Sequence, residues 1–103
     1  MKVIKNSIAG TLESSDIQIM LEVKEETGIE IELRSNVEKQ FGRQIRKVIQ
    51  ETLENLGVEN VRIIAVDKGA LDCIIKARVQ CAVYRAAGMK EEIDWEVKAL
   101  NGL

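Results

Sequence analysis

The chain contains no histidine and no proline, and only three aromatic residues and two cysteines among 103 residues. Each scarcity excludes something. Without histidine there is no Ser-His-Asp or Cys-His arrangement to activate a nucleophile, and no imidazole to hold a metal. Two cysteines alone make a poor zinc site. Cys73 and Cys81 stand in a segment read as helix, where eight residues rise about 12 Å. A disulfide needs Cα atoms within roughly 7 Å, so the two are expected to stay reduced, as small buried hydrophobes. That fits a reducing, cytoplasmic setting. Without proline, the element breaks must rest on glycines and caps. No apolar run approaches the roughly 20 residues that span a bilayer, and the N-terminal residues lack the apolar stretch of a signal peptide. No glycine-rich phosphate loop is present. An independent enzyme, a membrane protein and a metalloprotein are all disfavoured.

What remains is 46% hydrophobic and 31% charged, with a formal net charge of −2. This is the composition of one globular domain spanning 1–103. Nucleic acid is not an expected partner. Base stacking needs exposed aromatics, and Phe41 falls on a helical stripe expected to be buried. Charge is unevenly spread. Residues 13–32 hold Glu13, Asp16, Glu22, Glu25, Glu26, Glu30 and Glu32 against Lys24 alone. This end is expected to attract a basic partner surface.

Hydrophobic periodicity gives an outline. Residues 7–13 suggest a strand weakened by Gly10. Ile17, Ile19, Leu21 and Val23 alternate with polar residues, as do Ile29, Ile31 and Leu33. Turns at Ser14-Ser15 and at residues 25–28 predict two successive hairpins. Ser35 and Glu38 have capping-box spacing. They open a helix over 36–56 with an apolar stripe of Val37, Phe41, Ile45, Val48, Ile49, Leu53 and Leu56. Gly57 stands at its end. Residues 61–66 are apolar on both faces and belong inside a sheet. Asp67 is placed to cap a second helix, ending at Gly88, whose buried side includes Leu71, Ile74, Ile75, Val79, Ala82 and Val83. The order β-β-β-α-β-α predicts an α+β two-layer sandwich: a mixed sheet with two long helices on one face, the first helix forming a right-handed crossover. The tail, 89–103, has no clear pattern beyond Ile93, Trp95 and Val97.

Polar residues able to do chemistry gather in two loops, Glu13–Asp16 and Asp67–Asp72. In the first, Glu13 or Asp16 could act as a base, but nothing offers an oxyanion donor. A serine there is a poor nucleophile by itself. It is a good acceptor for covalent modification by another enzyme, because a tight turn projects its side chain into water.

Three blocks, "AGTLESSD", "SNVEKQFGRQIR" and "DKGALDCIIKARV", occur in this order over roughly residues 1–87. Together they resemble the acyl carrier protein of citrate lyase, its gamma subunit. The resemblance implies a carrier whose serine, matching Ser14, bears 2′-(5″-phosphoribosyl)-3′-dephospho-coenzyme A through a phosphodiester. It implies Gly at position 15, where this chain has Ser15. It also implies three partners: an alpha subunit that exchanges acetyl for citryl on the arm's thiol, a beta subunit that releases oxaloacetate, and a transferase that attaches the arm. Such a carrier needs no catalytic base or metal of its own. The alternative reading is a small acidic scaffold subunit without a prosthetic group.

Overall fold

A computed structural model describes residues 1–88. The elements are β1 (Ser7–Ala9), β2 (Ile17–Val23), β3 (Gly28–Ser35), α1 (Glu38–Asn55), β4 (Asn60–Asp67) and α2 (Asp72–Ala86). They form an α+β fold with a four-stranded mixed sheet in the order β1-β2-β4-β3. The tail assigned to 89–103 lies outside the described residues. Among the described residues no helix is long and apolar enough to cross a membrane.

The first hairpin pairs antiparallel, with Ile8 opposite Met20, but β1 ends at Ala9 rather than at residue 13, because Gly10 at φ +87 breaks the strand and residues 10–16 form a longer loop. The second hairpin does not form. β4 lies between β2 and β3, antiparallel to the first and parallel to the second. The turn after β2 therefore feeds an edge strand, and α1 carries the chain from β3 to the strand beside it. The cause is composition. β4 reads Val-Arg-Ile-Ile-Ala-Val and pairs on both edges, which suits an interior strand. β3 alternates with Glu30, Glu32 and Arg34, which suits an edge.

Alternation gives the sheet one core face. Ile17, Ile19 and Leu21 of β2 and Val61, Ile63 and Ala65 of β4 are buried. They pack in one cluster with Ile45, Ile49 and Leu53 of α1 and Ile75, Val79 and Val83 of α2. The end of α1 is a Schellman motif. Gly57 adopts φ +69. Its N–H donates to Glu54 O at 3.0 Å, and the Val58 N–H donates to Leu53 O at 3.0 Å. Val58 and Leu53 are both buried, which adds the usual hydrophobic closure.

Helix starts depart from the sequence reading. Ser35 and Glu38 do not form a capping box. Ser35 Oγ accepts the Val37 N–H and donates to Asp67, while Glu38 pairs with Arg46. Nor does Asp67 cap α2, which begins five residues later with Leu71 in the cap position and no side-chain cap. Three expected core residues are also outside. Phe41 is 48% exposed and Leu71 is 71% exposed. Cys73 is exposed and Cys81 half-buried, and the two do not form a disulfide with each other. The first turns of α1 and α2 border the loop after β4, where Phe41 and Leu71 line an open groove that none of the described residues fills.

Two positions on one stripe should therefore behave differently. Ile49→Ala is expected to destabilise by about 2–5 kcal/mol, the range for a fully buried aliphatic truncation. Phe41→Ala should cost less than about 1 kcal/mol, since the ring keeps much of its water contact. Urea unfolding midpoints of the two variants check this.

Candidate functional site

The Ser14 turn is built from backbone and a carboxylate. The Asp16 N–H donates to Glu13 O at 3.2 Å, so Ser14 and Ser15 are the two central residues of a four-residue turn. Ser15 takes φ +65, the left-handed conformation that glycine adopts more easily. That geometry accounts for the glycine the family pattern implies there. Ser14, Ser15 and Glu13 are all exposed. Neither serine hydroxyl enters the hydrogen bonding of the turn, which runs through backbone groups, Thr11 and Asp16.

Asp16 proves to be neither a general base nor a docking charge. It is 8% exposed. Its Oδ2 accepts the Thr11 N–H at 3.1 Å and the Thr11 hydroxyl at 2.6 Å. Its Oδ1 accepts the Ile17 N–H at 2.7 Å. Arg78 on α2 closes the set with a bidentate pair, Nε to Oδ1 at 3.0 Å and Nη2 to Oδ2 at 2.9 Å. The Arg78 hydrogen bonds hold this carboxyl well below the ordinary carboxylate range. Desolvation opposes them, and Thr11, Ile17 and the Arg78 charge add to the lowering. Burial of the acid and its bidentate geometry depend on Gly10, at φ +87. A Cβ there would stand 1.9 Å from Ile17 O and 3.2 Å from Arg78 Cδ.

The turn is also fastened to the second polar loop. The Ser15 N–H donates to Lys68 O at 2.8 Å, and the Lys68 N–H donates to Asp16 O at 2.9 Å. The two loops that the sequence marks separately are thus one structure. Asp67, 2% exposed, ends β4. It accepts the Ala70 N–H at 3.0 Å and the Ser35 hydroxyl at 3.0 Å. It shapes the loop rather than a helix start.

Four of the seven acids over 13–32, Asp16, Glu22, Glu30 and Glu32, pair with cations, while Glu13, Glu25 and Glu26 have no salt bridge among the described residues. Arg62 reaches Glu22 and Glu32, each at 3.9 Å. Lys24 meets Glu30 at 3.1 Å, Arg34 meets Glu32 at 3.3 Å, and Arg78 holds Asp16. Glu13 remains exposed beside Ser14, with no salt bridge among the described residues.

The family model described as "ACP: Malonate decarboxylase delta subunit (MdcD)" matches residues 4–86. The citrate lyase acyl carrier protein of Lacticaseibacillus casei is 58% identical over 96 residues, 93% of each chain. That of Streptococcus mutans is 54% identical over the same shares, and that of Escherichia fergusonii 50% over 92% of this chain and 97% of its own. The chain belongs to the citrate lyase acyl carrier protein family. Its role is accordingly that of a carrier and not of a catalyst. A crystal structure of homoserine kinase from Cytophaga hutchinsonii shares the fold alone. It has a TM-score of 0.53 at 17% identity, over 87% of this chain and 37% of the kinase.

The buried pair sets a pH dependence. A carboxyl held below its usual value contributes stability that is fully present above about pH 4 and lost as pH falls from there toward its folded pKa. Asp16→Asn should destabilise by about 2 kcal/mol near neutrality. This is below the roughly 3–5 kcal/mol of a fully buried pair, because Arg78 stays part-exposed. The variant should also lose less stability than the parent between pH 5 and pH 3. Denaturant melts at both pH values test this; parallel losses would remove Asp16 as the acid-sensitive group.

Proposed function

We propose that this chain is the acyl carrier subunit of a citrate lyase and that Ser14 is its attachment point for 2′-(5″-phosphoribosyl)-3′-dephospho-coenzyme A. The observation that carries the assignment is a serine at the apex of a rigid turn, exposed and with its hydroxyl left out of the turn's own bonding. The residues present suit such a group. Attachment forms a phosphodiester, and Lys68 lies on the loop hydrogen-bonded to the turn, exposed and cationic. When bound, the arm supplies a thiol for acyl thioesters, chemistry that neither Cys73 nor Cys81 is positioned to share with the turn.

The protein's own work is mechanical. Asp16, Thr11 and Arg78 hold the turn to α2, and the Lys68 backbone holds it to the loop after β4. Ser14 is thereby presented outward at a fixed place, for a transferase first and for the alpha and beta subunits afterwards. The absence of histidine costs such a carrier nothing. The cytoplasm, where thiols stay reduced, is the compartment that suits both the arm and two cysteines that are not bridged to each other.

Ser14→Ala should abolish attachment of the arm and change stability by no more than about 0.5 kcal/mol, as for an exposed turn residue. Ser15→Gly should still be modified, because it keeps the left-handed turn and the neighbouring hydroxyl. Intact mass and peptide mapping of residues 6–24 decide both. Modification surviving in Ser14→Ala would move the site to Ser15, and a native complex without any adduct would leave an unmodified scaffold subunit. Glu13→Lys should change the rate of arm transfer at low salt, with the difference shrinking as salt rises. Exposed charges act mainly on association and are screened over about 10 Å at 0.1 M salt. Equal rates for parent and variant at low salt would make Glu13 a plain solvated charge.

A further inference from the structure

Beside the Ser14 turn lies an apolar groove of ≈ 610 Å³ between the first turns of α1 and α2. Val37, Phe41 and Ile45 form one wall, and Gly69, Ala70 and Leu71 the other. It lies within the size range of small-ligand sites. Its two large exposed side chains are the ones that fail to join the core: Phe41 at 48% and Leu71 at 71% exposure. Polar groups are few and placed at its edges. Asp67 reaches it from the end of β4, and Gln44 Nε2 donates to Asp72 Oδ2 at 2.9 Å across the two helices.

The groove and the turn share a loop. Lys68, bonded to the turn in both directions through Ser15 and Asp16, directly precedes Gly69 and Ala70 of the groove wall. Anything joined to the Ser14 hydroxyl starts next to this wall. In the arm assigned to Ser14, the part nearest the attachment is a phosphoribosyl-adenosine unit; the thiol is at the far end. A purine has two flat faces that stack on an aromatic ring and an edge that donates an amino group. The groove offers a ring, Phe41, for the face; the Asp67 carboxylate is 2% exposed and already accepts from the Ala70 N–H and the Ser35 hydroxyl, so stacking carries the recognition.

We propose that the groove between α1 and α2 binds the adenine of the arm carried by Ser14, stacked against Phe41. This rests on the Ser14 reading and adds a docking place for the nucleotide end. Tethering makes the binding intramolecular, so the effective concentration is set by the short span from turn to groove. Modest contacts then suffice to hold the base. The nucleotide end becomes part of the carrier's surface, and only the pantetheine end sweeps through solvent toward the partner subunits.

The test compares apo protein, protein loaded by the transferase, and the Phe41→Ala variant loaded in the same way. Peptide mass mapping first verifies the adduct on Ser14; heteronuclear NMR follows. Loading should shift the amide signals of residues 13–16 and also those of 37–45 and 69–73. Nuclear Overhauser contacts should join the Phe41 ring to adenine protons. Phe41→Ala should abolish the shifts at 69–73 and keep those at 13–16, with loading unchanged. An adduct on Ser14 whose shifts stay within 11–18 overturns the proposal and leaves the attachment standing. No adduct on Ser14 overturns both. Groove signals that move only when an alpha or beta subunit is added would make the groove a protein-docking surface, which also overturns it.

Discussion

The carboxylate of Asp16 is the point on which the functional end depends. It accepts hydrogen bonds from Thr11, Ile17 and Arg78, and so joins the start of the loop, the start of β2 and the middle of α2. A loop between two strands is ordinarily a mobile element. Here the entropy of ordering it is offset by charge-assisted, partly desolvated bonds, which are stronger than neutral ones. The arrangement tolerates no bulk at Gly10, where a side chain would collide with the Ile17 carbonyl and press on Arg78. Strain is accepted at one place, the left-handed Ser15, whose cost is of order 1 kcal/mol. The outcome is a turn whose backbone and Asp16 carboxylate are engaged inside the fold, while the Ser14 and Ser15 hydroxyls and the Glu13 carboxylate stay exposed.

Most elements were legible from local pattern. Period-two alternation marked β2 and β3, and the glycines at 57 and 88 ended both helices, each at positive φ. Strand order was not legible. A hairpin is the nearest pairing for consecutive strands, but β4 is apolar on both faces and gains more by pairing on both edges than β2 and β3 gain from each other. The helix stripe misled at its N-terminal end for a related reason. Periodicity says which side of a helix is apolar; it does not say whether a strand lies beneath each turn. Phe41 belongs to the stripe and still faces a groove.

The acidic segment shows the limit of reading charge along a chain. Over residues 13–32 only one cation is near in sequence, yet Arg62 and Arg78 arrive through the sheet and the second helix. Exposed pairs such as Arg62 with Glu22 contribute little to stability, with a median of about 0–1 kcal/mol. Their effect is on the field, since they reduce the acidic patch to Glu13, Glu25 and Glu26 among the described residues. Asp16 differs in kind: buried and bidentate, it is part of the frame. The family resemblance points to Ser14, and the fold gives reasons for the identities of Gly10, Thr11 and Asp16 around it.

A carrier must combine an anchor that does not move with a cargo that does. If the anchor loop were flexible, its motion would add to that of the arm. The volume searched by the thiol would grow, and its effective concentration at each partner site would fall. With the arm on Ser14, as proposed, fastening the turn at Asp16 and at Lys68 would confine that motion to the arm itself. Apolar surface left open at Phe41 and Leu71 works in the same direction when it holds the near end of the arm, because the freely moving length is then shorter. The core takes in Ile45, Ile49 and Leu53 of α1 and Ile75, Val79 and Val83 of α2. Phe41 and Leu71 line the groove instead, next to the loop whose Lys68 backbone is bonded to the Ser14 turn, and an exposed apolar patch of this kind is ordinarily a place where something binds.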